Sequence, residues 1–346
     1  NFDVILGHES FNRKFNNNRA FKTNQTVTGI YELDNFSVIS AASGSSTDYR
    51  LEGFFARLNY DLSNKYYLSG SVRRDGSSVF TNNKWGTFYS VGGSWRINKE
   101  DFLKDVSFVN DLKLRGSYGE VGNDNLLSNG SRNYYISQPL YGIYPNAGAP
   151  GLYWNTTGNA DLKWEKSTSW DVALEFGLFN NRVSGSFEFY KKQTSDLLYN
   201  VPIPASEGQI EAPNNIGDMY NQGFELGLNL GVIRAKDFSW DLGLQASTLK
   251  NEVTNLPSPF VTGSKRWEVG RSRFDYFLYD YAGVDPSNGD ALYNMYEEID
   301  GVVGVPVLNE DGTQKTSNSW NTAGKGYVGE SSLPDLIGSI SNSFKF

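Results

Sequence analysis

Residues 169–189 read Ser-Trp-Asp-Val-Ala-Leu-Glu-Phe-Gly-Leu-Phe-Asn-Asn-Arg-Val-Ser-Gly-Ser-Phe-Glu-Phe. Trp170, Val172, Leu174, Phe176 and Leu178 alternate with Ser169, Asp171, Ala173, Glu175 and Gly177, the two-residue period of a strand with unlike faces. Asn180 and Asn181 tolerate positive φ and suit a tight turn. The return strand places Val183, Gly185, Phe187 and Phe189 opposite Ser184, Ser186 and Glu188. One hairpin with an apolar and a polar face is therefore written into the sequence, and the same grammar extends in both directions.

Upstream, Phe54, Ala56, Leu58, Tyr60 and Leu62 alternate with Arg57, Asn59 and Asp61, and after Ser63-Asn64-Lys65 the pattern resumes with Tyr66, Leu68, Gly70 and Val72. Further alternating runs cover 85–97 and 112–119. Downstream they cover 224–230, 238–244 and 334–346. The connections sort by length. Those at 63–65, 179–182 and 231–237 are short and that at 98–111 is somewhat longer, whereas those at 75–84, 120–163, 191–221 and 249–333 are long. Short turns at one end and long loops at the other characterise outer-membrane barrels. The polar parity carries Ser, Gly, Asn and scattered charge, which suits a wet lumen.

On this reading Leu58, Val72, Val91, Val172, Leu174, Phe187, Leu226 and Leu242 face the bilayer, while Arg57, Ser71, Ser94, Asp171, Glu188 and Glu225 face the lumen. Aromatic residues at strand ends form two girdles, Tyr60, Tyr66, Tyr67, Trp95 and Phe238 at the short-turn end and Phe80, Trp85, Trp164 and Trp170 at the other.

Composition agrees. Of 346 residues, 38% are hydrophobic but 15% are aromatic, with 36 Gly and 2 Met, a strand-and-turn vocabulary and not a helical one. No apolar run approaches the roughly 18 residues of a membrane-spanning helix. The net charge of −8, without a block of basic residues, argues against nucleic acid. With no Cys and one His, His8, the sequence excludes disulfides, thiolate sites and His-cluster metal sites and shows no catalytic constellation, metal site or cofactor motif. Asp285–Asp290 and Asn309–Gly312 have the composition of calcium loops without their ligand spacing and read as ordinary turns.

Residues 65–103, KYYLSGSVRRDGSSVFTNNKWGTFYSVGGSWRINKEDFL, resemble the SusC/RagA family of TonB-dependent outer-membrane transporters. The family pattern of a strand ending in an Arg-Asp-Gly-Ser-Ser turn is matched by Arg74, Asp75, Gly76, Ser77 and Ser78, and Trp-Arg-Ile by Trp95, Arg96 and Ile97. Residues 112–123, 162–198 and 221–230 match in the family's order. The resemblance implies a plug domain and TonB coupling before a barrel of roughly 22 strands, of which about 11 or 12 are expected here. The whole of 1–346 would then be part of that barrel, with the plug and final strands outside it. It further implies a Gram-negative outer-membrane location, energised import of a bulky glycan or peptide, and a SusD-like surface lipoprotein as lid.

The Arg74–Ser78 motif is expected to be architectural, with Asp75 accepting from the following Ser amides and Arg74 at the lipid interface. Candidate substrate contacts lie in the 120–163 loop: Tyr134, Tyr135, Tyr141, Tyr144, Tyr153 and Trp154 offer flat faces to sugar rings or peptide side chains, or pack the loop against its neighbours. A passive porin-like barrel and a soluble carbohydrate-binding sandwich remain the other readings.

Overall fold

The computed structural model describes residues 1–128 and 130–346. Its frame is a meander of ten antiparallel strands. These are β1 (Phe2–Gln25), β2 (Phe36–Leu62), β3 (Tyr66–Ser77), β4 (Trp85–Arg96), β5 (Val109–Asn123), β6 (Glu165–Leu178), β7 (Val183–Ser195), β8 (Asp218–Arg234), β9 (Ser239–Thr248) and β10 (Leu336–Lys345). They lie side by side in sequence order, and a short strand, Lys250–Asn255, also pairs with β8. The fold is thus the all-β, antiparallel sheet that the alternation requires. Among the described residues no helix is long and apolar enough to cross a membrane.

The three longest connections lie at one end as expected, with trimmed bounds, though the 97–108 turn exceeds 78–84 and 26–35 in length. The turns 63–65, 97–108, 179–182 and 235–238 lie at one end; 26–35, 78–84, 124–164, 196–217 and 249–335 lie at the other. Phe179, Asn180 and Asn181 all adopt left-handed φ near +56°, and Ser63 and Asn64 do likewise, which is how chain reversal is achieved without glycine. The carboxylate of Asp61 secures the 63–65 turn by accepting from the Asn64 amide at 2.9 Å.

Register carries each parity across the sheet. Leu114, Leu174, Phe187, Leu226 and Ala246 stand in one row, and Gly116, Val172, Phe189 and Phe224 in the next. The opposite face aligns Ser94, Arg115, Ala173, Glu188, Glu225 and Ser247. The bilayer set and the lumen set read from the sequence therefore occupy opposite faces.

The girdles need correction. Tyr60, Tyr66 and Trp95 share the apolar face at the turn end, Tyr66 stacking on Trp95 at 6.4 Å. Tyr67 has the other parity and sits between Asp61 and Ser94 on the polar face. At the loop end Trp85 and Trp170 remain on the apolar face, exposed by 44% and 38%. Phe80 is buried, and Trp164 packs on it at 5.4 Å while donating to the Lys84 carbonyl. Loop folding recruits these two rings for a core of its own.

The turn-end girdle is locked by Glu100. Its carboxylate accepts from Tyr66 Oη at 2.5 Å, Trp95 Nε1 at 3.0 Å and Lys65 Nζ at 3.2 Å. The Tyr66 hydroxyl foremost, then Trp95 and Lys65, hold the carboxyl down at about 2. A carboxyl depressed on folding stabilises above its ordinary value of about 4.3 and loses that contribution as pH falls toward the folded value. Melting of purified wild-type and Glu100→Ala barrels should therefore differ by a constant margin from pH 8 to 5, and the margin should close between about pH 4 and 2.

Candidate functional site

A channel wall needs a wet face that holds charge in place, and the polar face supplies one. Arg115 on β5 meets three carboxylates from the two following strands: Asp171 at 3.0 Å, Glu175 at 2.8 Å and Glu188 at 2.5 Å. Lys113 adds a second contact to Glu175 at 3.2 Å, and Ser117 donates to Asp171. Alternation on β5, β6 and β7 puts these groups on one side, and the register brings Arg115 level with Ala173 and Glu188. Ala173 is 1% exposed beneath the bridge, so a small residue there is a packing requirement. Five charged groups with a net excess of one carboxylate could not stand in hydrocarbon, and the exposed apolar rows behind them could not remain in water.

At the loop end a second centre joins the 124–164 loop to the wall. Asp124 accepts from Ser77 Oγ at 2.6 Å, Tyr49 Oη at 3.0 Å and Arg132 Nη2 at 2.6 Å. The Arg132 guanidinium lies over Tyr49 and Tyr134, 4.5 and 5.1 Å from their ring centres. Around them Tyr49, Val79, Phe80, Leu126, Ile136, Leu162 and Leu198 form a buried core. Small and soluble-like, it is assembled from the ends of strands and the roots of three loops.

The six aromatic candidates divide into two groups. Tyr134 packs on this core, and Tyr135 Oη accepts from the Asp48 amide at 2.8 Å; both anchor the loop. Tyr141, Tyr144, Tyr153 and Trp154 instead lie on a separate hairpin, Leu140–Asn146 paired with Ala149–Thr156, which belongs to no larger sheet. Tyr141 and Trp154 stand opposite one another on one face, beside Ile143 and Leu152. All four are exposed, Ile143 and Leu152 by three quarters. On the other face the ring of Tyr153 covers Gly142, filling the space a side chain would take. Ile143 and Leu152 complete the apolar face, and aromatic chemistry alone does not point to them.

The Arg74–Ser78 motif is strand as far as Ser77, where a turn was expected from Asp75, and the turn opens only at Ser78. Asp75, Gly76 and Ser77 pair with Gly53, Glu52 and Leu51 of β2, and Asp75 and Gly76 also pair with β4. Asp75 accepts from Arg73 Nε at 2.7 Å and not from the following Ser amides. Gly76 leaves room for the Trp85 ring, which lies 3.0 Å from where a Cβ would be, so a side chain there would push the ring aside. Ser77 serves Asp124, Ser78 Oγ accepts from the Arg50 amide at 3.0 Å, and Arg74 lies over Trp85 on the apolar face. His8 pairs with Glu52 at 3.2 Å on that same face. Asp285 Oδ1 accepts from the Ser287 amide and hydroxyl, so this calcium-like stretch closes as an Asx turn. Among the described residues no group of three or more His, Cys, Asp or Glu side chains is placed to hold a metal ion.

A meander with one apolar exposed face, one ion-paired face, aromatic bands and loops sorted by length is the wall of an outer-membrane β-barrel. The chain belongs to the TonB-dependent receptor-like β-barrel family, whose pattern matches residues 1–332, and within it to the SusC/RagA type. It is 31% identical to the TonB-dependent receptor SusC of Bacteroides thetaiotaomicron over 323 residues, 87% of this chain and 31% of that protein. It is 33% identical to the TonB-dependent receptor P26 of Formosa agariphila over 360 residues, covering 99% of this chain and 36% of that one. Among solved structures, the RagAB peptide importer in its closed-closed state superposes with a TM-score of 0.86 at 28% identity, over 100% of this chain and 37% of its counterpart. The chain spans about a third of the length of the curated relatives it matches. These relatives are receptors and importers, not enzymes, and the protein is one of the outer membrane.

Proposed function

We propose that this chain forms part of the wall and mouth of an energised importer. The importer carries a bulky nutrient of glycan or peptide class across the outer membrane, driven through TonB and covered by a SusD-like surface lipoprotein. The observation that carries the reading is the ion-paired face centred on Arg115. It is a fixed, charged surface of the kind that seats a plug or passes polar cargo. The free outer edges of β1 and β10 would be closed by further strands, since an unpaired edge in lipid leaves its backbone groups unsatisfied. Uptake of the growth nutrient should disappear in a TonB-deficient strain; uptake that persists there favours a passive porin instead.

The mouth is assigned to the 124–164, 196–217 and 249–335 connections, because the opposite turns have too little chain to build a pocket. The hairpin over 140–156 is self-contained, so deletion of 140–155 should leave the barrel assembled, as judged by heat-modifiable migration. It should also reduce nutrient uptake or lid co-purification severalfold, by removing rigid aromatic area that docks at low entropic cost. Normal import and normal lid recovery after this deletion would reassign the hairpin to packing alone.

A further inference from the structure

β1 and β2 are much longer than a membrane crossing needs. β3 accompanies β2 only from Leu62 to Leu51, so residues 36–50 of β2 and their partners on β1 continue beyond the rim as a two-stranded ribbon. Fifteen residues of strand extend about 50 Å. The face continuous with the lumen carries Phe11, Arg13, Phe15, Asn17, Arg19 and Phe21 on β1, and Leu51, Tyr49, Thr47, Ser45, Ser43 and Ala41 opposite them on β2. Large residues thus line one strand and, above Tyr49, small ones the other.

The charge of this ribbon is opposite to that of the chain. Residues 10–31 hold Arg13, Lys14, Arg19 and Lys22 and no acidic residue, and 36–47 hold no charge at all, in a protein of net charge −8. Among the described residues neither Arg13 nor Arg19 has an ion-pair partner.

The edge of β2 is also open. The Arg50 amide and carbonyl reach Ser78, and the Asp48 amide reaches Tyr135, so the even positions aim their backbone groups away from β1. By the alternation of an antiparallel ladder, Ser46, Gly44 and Ala42 present the next free amides and carbonyls. Exposed edges are ordinarily blunted by charge, proline or a covering loop. The hairpin over 140–156 carries Pro145 and Pro150, whereas 41–47 of β2 has none of these devices.

We propose that this edge docks an extended acidic peptide as a third strand, with Arg13 and Arg19 receiving its carboxylates. Main-chain pairing to Ala42, Gly44 and Ser46 would supply affinity, as in other strand additions. Inward side chains of the added strand repeat every two residues, as do those of β1, so the registers are commensurate. An Arg on β1 and a Glu on the added strand stand two strand spacings apart, about 10 Å. Two long side chains can bridge that gap at Arg19, where only Ser43 intervenes, while at Arg13 the bridge must run beside the Tyr49 ring. Between the two arginines, Phe15 would pack on the methylene stem of the inward side chain level with it. The proposal rests on the importer reading and narrows its cargo to peptides.

The test uses full-length protein purified in detergent and a fluorescent ten-residue peptide of alternating Glu and Val. Binding needs no TonB, so its outcome is separable from that of the transport experiment. The peptide should bind and weaken with salt. The double variant R13E/R19E should weaken it by about tenfold or more, as expected for losing hydrogen bonds to charged groups, and should favour the Lys-Val counterpart. Ser46→Pro, which removes one edge amide without touching the β1 ladder, should weaken both peptides, and N-methylation of alternate peptide amides should do the same. Heat-modifiable migration confirms that each variant is folded. Binding indifferent to the charge reversal or to both backbone changes, or an acidic oligogalacturonate that binds equally well and resists Ser46→Pro, would overturn the proposal.

Discussion

Leu174→Arg is expected to deplete the assembled barrel in outer-membrane fractions, while Ser186→Arg on the adjacent strand assembles normally. Leu174 lies in the apolar row between Leu114 and Phe187, at a middle level of the sheet. A guanidinium near the midplane on the lipid face costs about 2–4 kcal/mol, a large fraction of what holds a domain together. Ser186 faces the lumen directly opposite Glu175 and level with Gly227, where an added cation meets water and a carboxylate. Ala173 is the obvious comparator from sequence but a poor one, because it is buried under the Arg115 bridge and a large residue there would break the ion cluster. Equal assembly of the Leu174 and Ser186 variants would show that the two faces have been exchanged.

Asp124→Ala should release the 124–164 loop without dissolving the barrel. The substitution strands three donors, the hydroxyls of Ser77 and Tyr49 and the guanidinium of Arg132, two of them in residues less than a tenth exposed. Loss of one partner from a largely buried charged pair costs about 3–5 kcal/mol; Arg132 keeps a quarter of its side chain in solvent, which lowers the expectation to about 2–3 kcal/mol. Limited proteolysis should cut within 125–160 much faster than in wild type, while migration of the unheated barrel stays unchanged. Asp124→Asn, which retains acceptors for the two hydroxyls, should fall between. Unchanged cleavage in the alanine variant would mean that the apolar core alone holds the loop.

How far the sequence discloses this architecture depends on how sharply each segment distinguishes its two faces. The 169–189 hairpin is legible because lipid and lumen impose opposite demands on successive residues, from Trp170 and Asp171 to Phe187 and Glu188. The same contrast is missing from 36–47, where Ser, Ala and Gly fit either face, and from 10–25, where Asn and basic residues interrupt the apolar parity. The ribbon was therefore invisible although its strands are the longest. Asp75 and Gly76 look like a turn by local chemistry, and tertiary pairing to β2 and β4 overrides that preference. Burial of Phe80 beside Trp164, and the separation of Tyr134 and Tyr135 from Tyr141 and Trp154, depend on a core gathered from loops far apart in the chain. No local period encodes such a meeting.

Because the strands neighbour one another in chain order, the time needed to build the wall is governed by the connections. Pairing β9 with β10 must bring Thr248 beside Leu336 across the 249–335 segment. Closing so long a flexible segment costs about 2–3 kcal/mol more entropy than closing the 235–238 turn. That segment has internal sheets of its own, including one running through Phe260–Thr262, Lys265–Trp267, Asp275–Leu278 and Gly326–Ser331. If that sheet forms first, it draws the two ends of the segment together before the strands meet. The outer loop is then a scaffold for assembly, and variants that unfold it should delay incorporation of the tenth strand even when every residue of the wall is intact.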